Sequence, residues 1–259
     1  YIMNNKCQSV KSKTQIDKDI IDKAKNLLVI GCFCIGTNQV DLEYCSKKGI
    51  SVINSPFMNT RSVAELVKSH IINLSRQVNM RNIEMHNKVW NKTSLNSIEI
   101  RNKTIGIIGY GHVGSQVSIL AEAFGMKVIY YDIKNIMNLG NSVKCETLDE
   151  LLKKSDFVTC HVPLYETTEN LISENQLKKM KKGSYLLNLS RGKVVDIVSL
   201  KKYLDNKHLY GAALDVYPEE PSKNGEYTNI LQNTYNVILT PHIGGSTKEA
   251  QTHIAEDVC

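Results

Sequence analysis

No apolar run in this 259-residue chain approaches the roughly 18 residues needed to cross a bilayer, so no membrane span is expected. Its opening also lacks the charged, apolar and small-residue succession of a secretory leader. The seven cysteines are scattered, with no C-x-x-C pair and no Cys/His cluster, so neither a disulfide framework nor a metal site is predicted. Cys32, Cys34 and Cys160 sit in apolar runs, as reduced core thiols do, and a cytoplasmic setting is the expectation. The formal charge of +6 comes from dispersed lysines without a dense basic block, which describes a solvated surface rather than a nucleic-acid face. Tryptophan is nearly missing. Trp90 stands alone in a polar stretch, either as a local packing plug or as an interface anchor. A starting methionine is lacking too, and residues 1–15 contain no convincing strand. The beginning of a domain is therefore expected to be missing or rearranged, and the chain to be a fragment. What remains is ordinary globular composition, 42% hydrophobic and 22% charged, without repeats or low-complexity tracts.

The most informative stretch is residues 103–132. A β-branched run at 104–108 breaks into Gly109-Tyr-Gly111-His-Val-Gly114, a G-x-G-x-x-G turn. Apolar residues then recur at helical spacing to Phe124, Gly125 supplies a stop, and a second β-like run ends in Asp132. Each glycine has a mechanical reason. The first permits the tight turn, the second admits a pyrophosphate to the backbone, and the third lets helix pack on strand. The pyrophosphate would lie on the free N–H groups at the helix start. Asp132 can accept bonds from both ribose hydroxyls and would repel a 2′-phosphate, so the expected cofactor is NAD. Three close glycines often mark only a loop; strand, helix, second strand and acid in register favour the dinucleotide.

Around this unit a strand–helix rhythm runs through the chain. Residues 17–25 read as a short helix, 27–30 as a strand, 40–48 as a helix stopped by Gly49, and 50–53 as a strand. Ser62-Val-Ala-Glu65 has the form of a capping box opening a long amphipathic helix. Further strands are predicted at 157–160, 185–189, 210–214 and 237–239, with helices at 148–154, behind Ser173-Glu-Asn-Gln176 and after Asp196. Ser246-Thr-Lys-Glu249 opens a last helix. Such alternation specifies an α/β fold, a doubly wound parallel sheet covered on both faces.

Each of these later strands is followed by unusual polar groups: His161-Val-Pro163, Leu189-Ser190-Arg191-Gly192, Asp215 through Glu220, and Pro241-His242-Ile-Gly244-Gly245. In an open α/β sheet the ligand lies beyond the carboxyl ends of the strands, so these groups are expected to line the nicotinamide end of the cofactor. Three of them suit hydride transfer at a carbon bearing oxygen. Alcohol oxidation needs a base for the hydroxyl proton, a role for which a histidine such as His242 is suited. Glu220 can hold its other ring nitrogen. Arg191 offers a planar fork for a substrate carboxylate. Taken singly each has a plain reading: a loop histidine, a solvated turn at Glu219 and Glu220, an arginine paired with Asp196. Their joint placement at strand ends favours catalysis.

Several strings together resemble the D-isomer-specific 2-hydroxyacid dehydrogenases, and within them the phosphoglycerate branch. They are Gly31-Cys-Phe-Cys-Ile-Gly-Thr-Asn-Gln-Val-Asp41, Asn59-Thr-Arg-Ser-Val-Ala-Glu-Leu66, Val89-Trp-Asn-Lys92, the glycine turn, Asn188-Leu-Ser-Arg-Gly192 and Thr240-Pro-His-Ile-Gly-Gly-Ser246. The resemblance implies NAD-dependent oxidation of 3-phospho-D-glycerate to 3-phosphohydroxypyruvate, in serine biosynthesis. It places Arg191, Glu220 and His242 on the family's catalytic triad, and His112, Val113, Asp132, Ser190, Asp215, Gly244 and Gly245 on its NAD contacts. Ile35 and Gly36 fall on the backbone cradle for the substrate carboxylate, with Cys34 where a glycine is common. Lys11 and Ser12 fall on the phosphate site, where lysine replaces the usual arginine, and Lys92 is a candidate phosphate ligand in a neighbouring subunit. A homodimer or homotetramer is implied, with no nucleic-acid or membrane partner. The implied domains are 1–58, part of a flavodoxin-like α/β substrate domain; 59–244, an inserted Rossmann domain; and 245–259, a return to the first. Two alternatives stay open at this level. One is a sister enzyme, such as a hydroxypyruvate or glyoxylate reductase or a D-lactate dehydrogenase; the other is a non-catalytic, NAD-sensing corepressor.

Overall fold

The computed structural model describes residues 5–10, 14–34, 36, 37 and 39–258. The chain forms two compact units, one of residues 1–60 with 245–259 and one of residues 61–244.

The first unit is built on a parallel sheet of β1 (Cys7–Val10), β2 (Val29–Cys32) and β3 (Ser51–Asn54), in that order. Between the strands lie α1 (Lys18–Lys23) and α2 (Leu42–Lys47). Asp17 and Asp41 cap these helices by accepting the main-chain N–H groups of Ile20 at 3.0 Å and Tyr44 at 2.9 Å. Ile16, Ile21, Leu27, Ile30, Val40 and Cys45 close the core. β1 corrects the reading of residues 1–15 as strandless. Its sequence, Cys-Gln-Ser-Val, carries little apolar signal, and its order comes from main-chain pairing with β2, Cys7 opposite Val29 through Val10 opposite Cys32.

The second unit opens with α3 (Thr60–Arg76), most of which belongs to it, and α4 (Val78–His86). The helix begins before Ser62, so Ser62-Val-Ala-Glu65 is not its cap; Glu65 instead pairs with Arg61 at 2.6 Å on the exposed face. The Rossmann elements follow: β4 (Thr104–Ile108), α5 (His112–Ala123), β5 (Lys127–Tyr131), the two-residue edge strand β6 (Val143–Lys144), α6 (Leu148–Lys154), β7 (Phe157–Cys160), α7 (Glu174–Lys179), β8 (Ser184–Asn188), α8 (Ile197–Asp205), β9 (Leu209–Leu214) and β10 (Val237–Leu239). All seven strands are parallel, in the order β10-β9-β8-β7-β4-β5-β6. From β4 the chain first builds outward to β6 and then crosses back to β7. The switch point, where ligands lodge in such sheets, therefore lies between the ends of β4 and β7.

Alternation along β4 divides the core. Ile105 and Ile107 pack under Val67, Ile71 and Leu74 of α3 and Val117 of α5, while Ile108 faces Leu151, Leu200 and Leu204 on the other side. Gly106 lies where α6 crosses, and a β-carbon there would come within 2.1 Å of the Ser155 hydroxyl. The final helix, α9 (Lys248–Val258), belongs to the first unit and buries Ala250 and Ile254. Its first turn is held by Thr247, whose Oγ1 accepts from the Ala250 N–H at 3.1 Å, one residue later than the Ser246 box implies.

Two histidines make this fold sensitive to acid. His70, on α3, is 3% exposed and neither ring nitrogen has a hydrogen-bond partner. Burial holds its pKa below the ordinary 6.5, against the opposing pull of the Asp215 charge. Burial also pushes His161 down, to about 3. The unfolded chain binds protons at these positions first. Their stabilising contribution is therefore complete above about pH 6.5 and is lost progressively as pH falls toward the folded values. Each histidine contributes at most about 1.4 kcal/mol per pH unit within that window. Urea midpoints are expected to fall between pH 7 and pH 5, and less so in His70→Phe; a flat profile would contradict the assignment.

Candidate active site

The glycine turn sits at the end of β4, at the switch point. Gly109 has φ +87°, and a β-carbon on it would come within 2.5 Å of the His161 carbonyl at the end of β7. Gly114 faces back on the turn, where a β-carbon would meet the Gly109 carbonyl at 2.1 Å. Gly111, at the start of α5, has nothing within 4 Å of its β-carbon position. The outer two glycines are thus required by the fold, and the middle one by open space in front of a helix N-terminus. That is the cradle a pyrophosphate needs. Asp132, at the end of β5, accepts the Tyr110 N–H and the Lys134 N–H, each at 2.8 Å. Its carboxylate is thereby fixed beside the turn, in the position of a ribose acceptor. His112 and Val113 form the first turn of α5. These residues fit a dinucleotide without 2′-phosphate.

Beyond β7, the His161 ring is anchored to the Thr159 hydroxyl at 2.9 Å. Beyond β8, the loop is shaped by Asn188, which is fully buried. Its Oδ1 accepts from the Ser190 N–H at 3.1 Å and the Ser190 hydroxyl at 2.8 Å, and its Nδ2 donates to the Arg191 carbonyl at 2.9 Å. Leu189 turns its side chain into the core, leaving only main chain to face a ligand. The Arg191 guanidinium donates to the Ser190 carbonyl at 2.7 Å. Asp196, the plain partner considered above, is engaged elsewhere: it caps α8 through Val198, Ser199 and the Ser199 hydroxyl. Gly192 presses against the next loop, where a β-carbon would come within 1.9 Å of the Tyr217 carbonyl group.

The last two loops bring Glu220 and His242 together. His242 Nδ1 lies 2.7 Å from Glu220 Oε2, and Glu220 Oε1 accepts the Tyr217 N–H at 3.2 Å. With a carboxylate as acceptor, the proton of a neutral His242 belongs on Nδ1, and Nε2 presents a lone pair. The His242 side chain is half exposed, as a group that meets a ligand must be. Asp215, 1% exposed at the end of β9, holds this loop on both sides of the histidine. It accepts from the Thr240 hydroxyl at 2.6 Å, the Ile243 N–H at 2.9 Å and the Gly244 N–H at 2.8 Å. The histidine itself takes φ +54°, a left-handed conformation that a side chain disfavours.

Arg191, Glu220, His242, His161, Ser190, Asp215 and Gly244 therefore all lie on loops at one end of the second unit's sheet, with the glycine turn. Gly245 falls in the first unit, where a β-carbon would crowd the Asn59 amide at 2.5 Å. Gly36, also in that unit, accepts from the Cys34 thiol at 3.2 Å. Lys11, Ser12 and Ile35 lie outside the described residues. Lys92 is exposed on the segment after α4, and Trp90 beside it is 78% exposed, which removes the packing-plug reading within this chain. Asn188 and Gly192 were the organising residues missed from sequence; a polar side chain ending a fully buried strand is the signal for the first. No group of metal-ligating residues occurs among the described residues, and no helix among them is long and apolar enough to cross a membrane.

Residues 68–244 match the family model of the D-isomer specific 2-hydroxyacid dehydrogenase, NAD binding domain. The chain is 55% identical over 258 residues to D-3-phosphoglycerate dehydrogenase 1 of Saccharomyces cerevisiae, covering 96% of this chain and 55% of that protein. It is 58% identical over 250 residues to D-3-phosphoglycerate dehydrogenase of Dictyostelium discoideum, covering 96% and 61%. The chain thus spans a little over half the length of these relatives. Among solved structures, D-lactate dehydrogenase from Aquifex aeolicus complexed with NAD and lactic acid superposes with a TM-score of 0.87 at 32% identity, covering 99% of this chain and 81% of that one.

Proposed function

Because the chain belongs to the D-isomer specific 2-hydroxyacid dehydrogenases, with NAD as cofactor, we propose that it serves in an enzyme oxidising 3-phospho-D-glycerate to 3-phosphohydroxypyruvate. The observation that carries the chemistry is the Glu220–His242 pair, 2.7 Å apart at the strand ends that also hold the glycine turn. NAD, held by the glycine turn and Asp132, would supply the acceptor for the hydride at C2 of the substrate. His242 Nε2 takes the C2 hydroxyl proton as the carbonyl forms, and Glu220 holds the ring in the competent tautomer and stabilises the imidazolium. Arg191 binds the substrate carboxylate and polarises the reacting oxygen with the donors of its fork that Ser190 leaves open. Asp132 would receive the ribose hydroxyls, and Ser190, His161, Asp215 and Gly244 would hold the nicotinamide end, with Gly245 a further NAD contact by resemblance.

The substrate assignment is supported by the names of relatives above half identity and by the basic residues Lys11, Lys13 and Lys92. In this reading residues 1–58 and 245–259 are part of a substrate domain into which residues 59–244 are inserted. Lys11, Ser12, Ile35 and Gly36 bind substrate from there. The enzyme works in the cytoplasm, where thiols such as buried Cys32 and Cys160 stay reduced; burial pushes their pKa values up to about 11 and about 12. It assembles as a homodimer or homotetramer through the exposed segment bearing Trp90, which brings Lys92 to a neighbour's substrate phosphate.

The test is NADH consumption by the full-length protein with phosphohydroxypyruvate, hydroxypyruvate and pyruvate in parallel. Loss of the charge-assisted phosphate contacts predicts kcat/KM lower by about 10²-fold for the unphosphorylated acids. Equal turnover of those acids would overturn the substrate, and no turnover of any would favour a binding protein.

A further inference from the structure

Residues 87–97, the segment that carries Trp90 and Lys92, have side chains exposed as far as Asn96 but a firmly held base, and the base converges on one residue. Gln77 is the single residue between α3 and α4. It is 2% exposed and takes φ +53°, a left-handed conformation in a residue with a β-carbon. Every polar group of its side chain is used. Its Oε1 accepts from Arg81 Nη2 at 3.0 Å and from the Tyr235 hydroxyl at 3.3 Å, and its Nε2 donates to the Leu95 carbonyl at 3.1 Å. A strained backbone and a buried amide bonded through both its oxygen and its nitrogen mark a conformation that the surroundings over-determine.

Behind Tyr235 stands a ladder rooted in the sheet. The Tyr235 and Tyr210 hydroxyls are 3.0 Å apart, and their rings meet edge-on at 6.0 Å. Tyr210 in turn meets Tyr185 of β8 at 5.8 Å. Burial pushes the Tyr185 phenol up to about 12 and Tyr210 higher still, so these groups remain hydroxyls at any physiological pH. On the outer side Arg81 bonds Glu84 at 2.8 Å, and the other Glu84 oxygen accepts from the Asn91 amide at 3.1 Å. The segment is thus moored at Leu95 through Gln77 and at Asn91 through Arg81 and Glu84. Trp90 and Lys92 flank the mooring at Asn91, and Lys92 lies between the two.

We propose that Gln77, fixed by Tyr235 and Arg81, is the pin of a clamp that holds residues 87–97 in the conformation a second copy of the chain binds. The proposal rests on the oligomer proposed above and adds the device that makes it tight. A segment ordered before association loses less entropy on binding than a loose one, so the clamp acts on affinity rather than on the chemistry of the site. Gln77, Tyr210 and Tyr235 are positioning residues.

Tyr235→Phe keeps the ring and removes one hydroxyl, and Gln77→Met removes all three side-chain bonds of the pin. In the full-length protein both are expected to speed amide hydrogen exchange in residues 87–97 and to raise the subunit dissociation constant in dilution sedimentation. The rise is about tenfold for Tyr235→Phe, the equivalent of one hydrogen bond, and larger for Gln77→Met. Exchange in the Rossmann strands and NADH affinity stay unchanged, which a general loss of stability would not allow. Unchanged exchange in residues 87–97 of Tyr235→Phe, or faster exchange without weaker assembly, overturns the clamp. A wild-type protein that sediments as a monomer at all concentrations overturns the oligomer beneath it, so the two failures are told apart.

Discussion

His242→Ala lowers turnover by about 10²- to 10⁴-fold, the range over which a positioned acid–base group contributes, while NADH still binds. The separation follows from the site's construction. The glycine turn, α5 and Asp132 are held by contacts in which His242 has no part, since the Asp132 carboxylate is fixed by Tyr110 and Lys134. Glu220 keeps its bond from the Tyr217 N–H when the imidazole is removed. Stopped-flow turnover and NADH fluorescence titration on the same preparation check the expectation. Loss of binding with loss of turnover would mean that the histidine is structural.

Asp215→Asn is expected to be nearly as damaging without touching a reacting atom. The carboxylate accepts three hydrogen bonds and donates none. An amide supplies one oxygen, which can serve Thr240 and Ile243, but it turns an NH₂ group toward the Gly244 N–H, and two donors then face each other where a bond of 2.8 Å stood. Burial leaves no water to relieve the mismatch. The cost is about 2–4 kcal/mol of stability, from a lost charge-assisted bond and an unsatisfied buried donor. The His242 loop loses its register, and if His242 is the proposed base, a displacement of about 1 Å there lowers kcat by about 10²-fold. Urea denaturation and steady-state kinetics measure the two effects separately. A variant that loses stability and keeps full kcat would show that Asp215 supports the fold but does not set the histidine.

The sequence and the structure agree where the signal is local. The G-x-G-x-x-G turn is read with three roles, and the structure gives a distance to two of its glycines, which would collide with backbone carbonyls, while the middle one faces open space. Strands whose residues are buried on both faces, such as β7, were read to the residue because a continuous apolar run has clear ends. β1 escaped notice because a polar edge strand takes its order from its neighbour's main chain. The helix α4 was missed for a related reason: none of its residues is buried, so no apolar face marks it. At Ser62 the pattern of a cap was present, but the chain had already turned helical at Thr60.

The candidate site was legible as a set of residue types and not as a mechanism of support. Which histidine, acid and arginine to choose followed from their places after predicted strands. That Asn188 folds the arginine loop, that Gly192 admits the neighbouring loop, and that Asp215 spans the histidine are contacts between distant parts of the chain. No spacing rule encodes them. The buried His70 was equally silent, since a histidine on an amphipathic helix has no sequence mark to show which way it faces.

The left-handed backbone at His242 has an evolutionary corollary. Glycine accepts such a conformation without penalty, whereas a residue with a β-carbon loses about 1–2 kcal/mol in it. Under the proposed mechanism, folding and chemistry therefore favour different residues at this position. In a lineage where the reaction ceased to matter, drift toward greater stability would erase the histidine early and leave Asp215 and the loop intact. Glycine or asparagine between Pro241 and Ile243 of a related chain would then be the signature of a scaffold that has kept its dinucleotide and retired its catalyst.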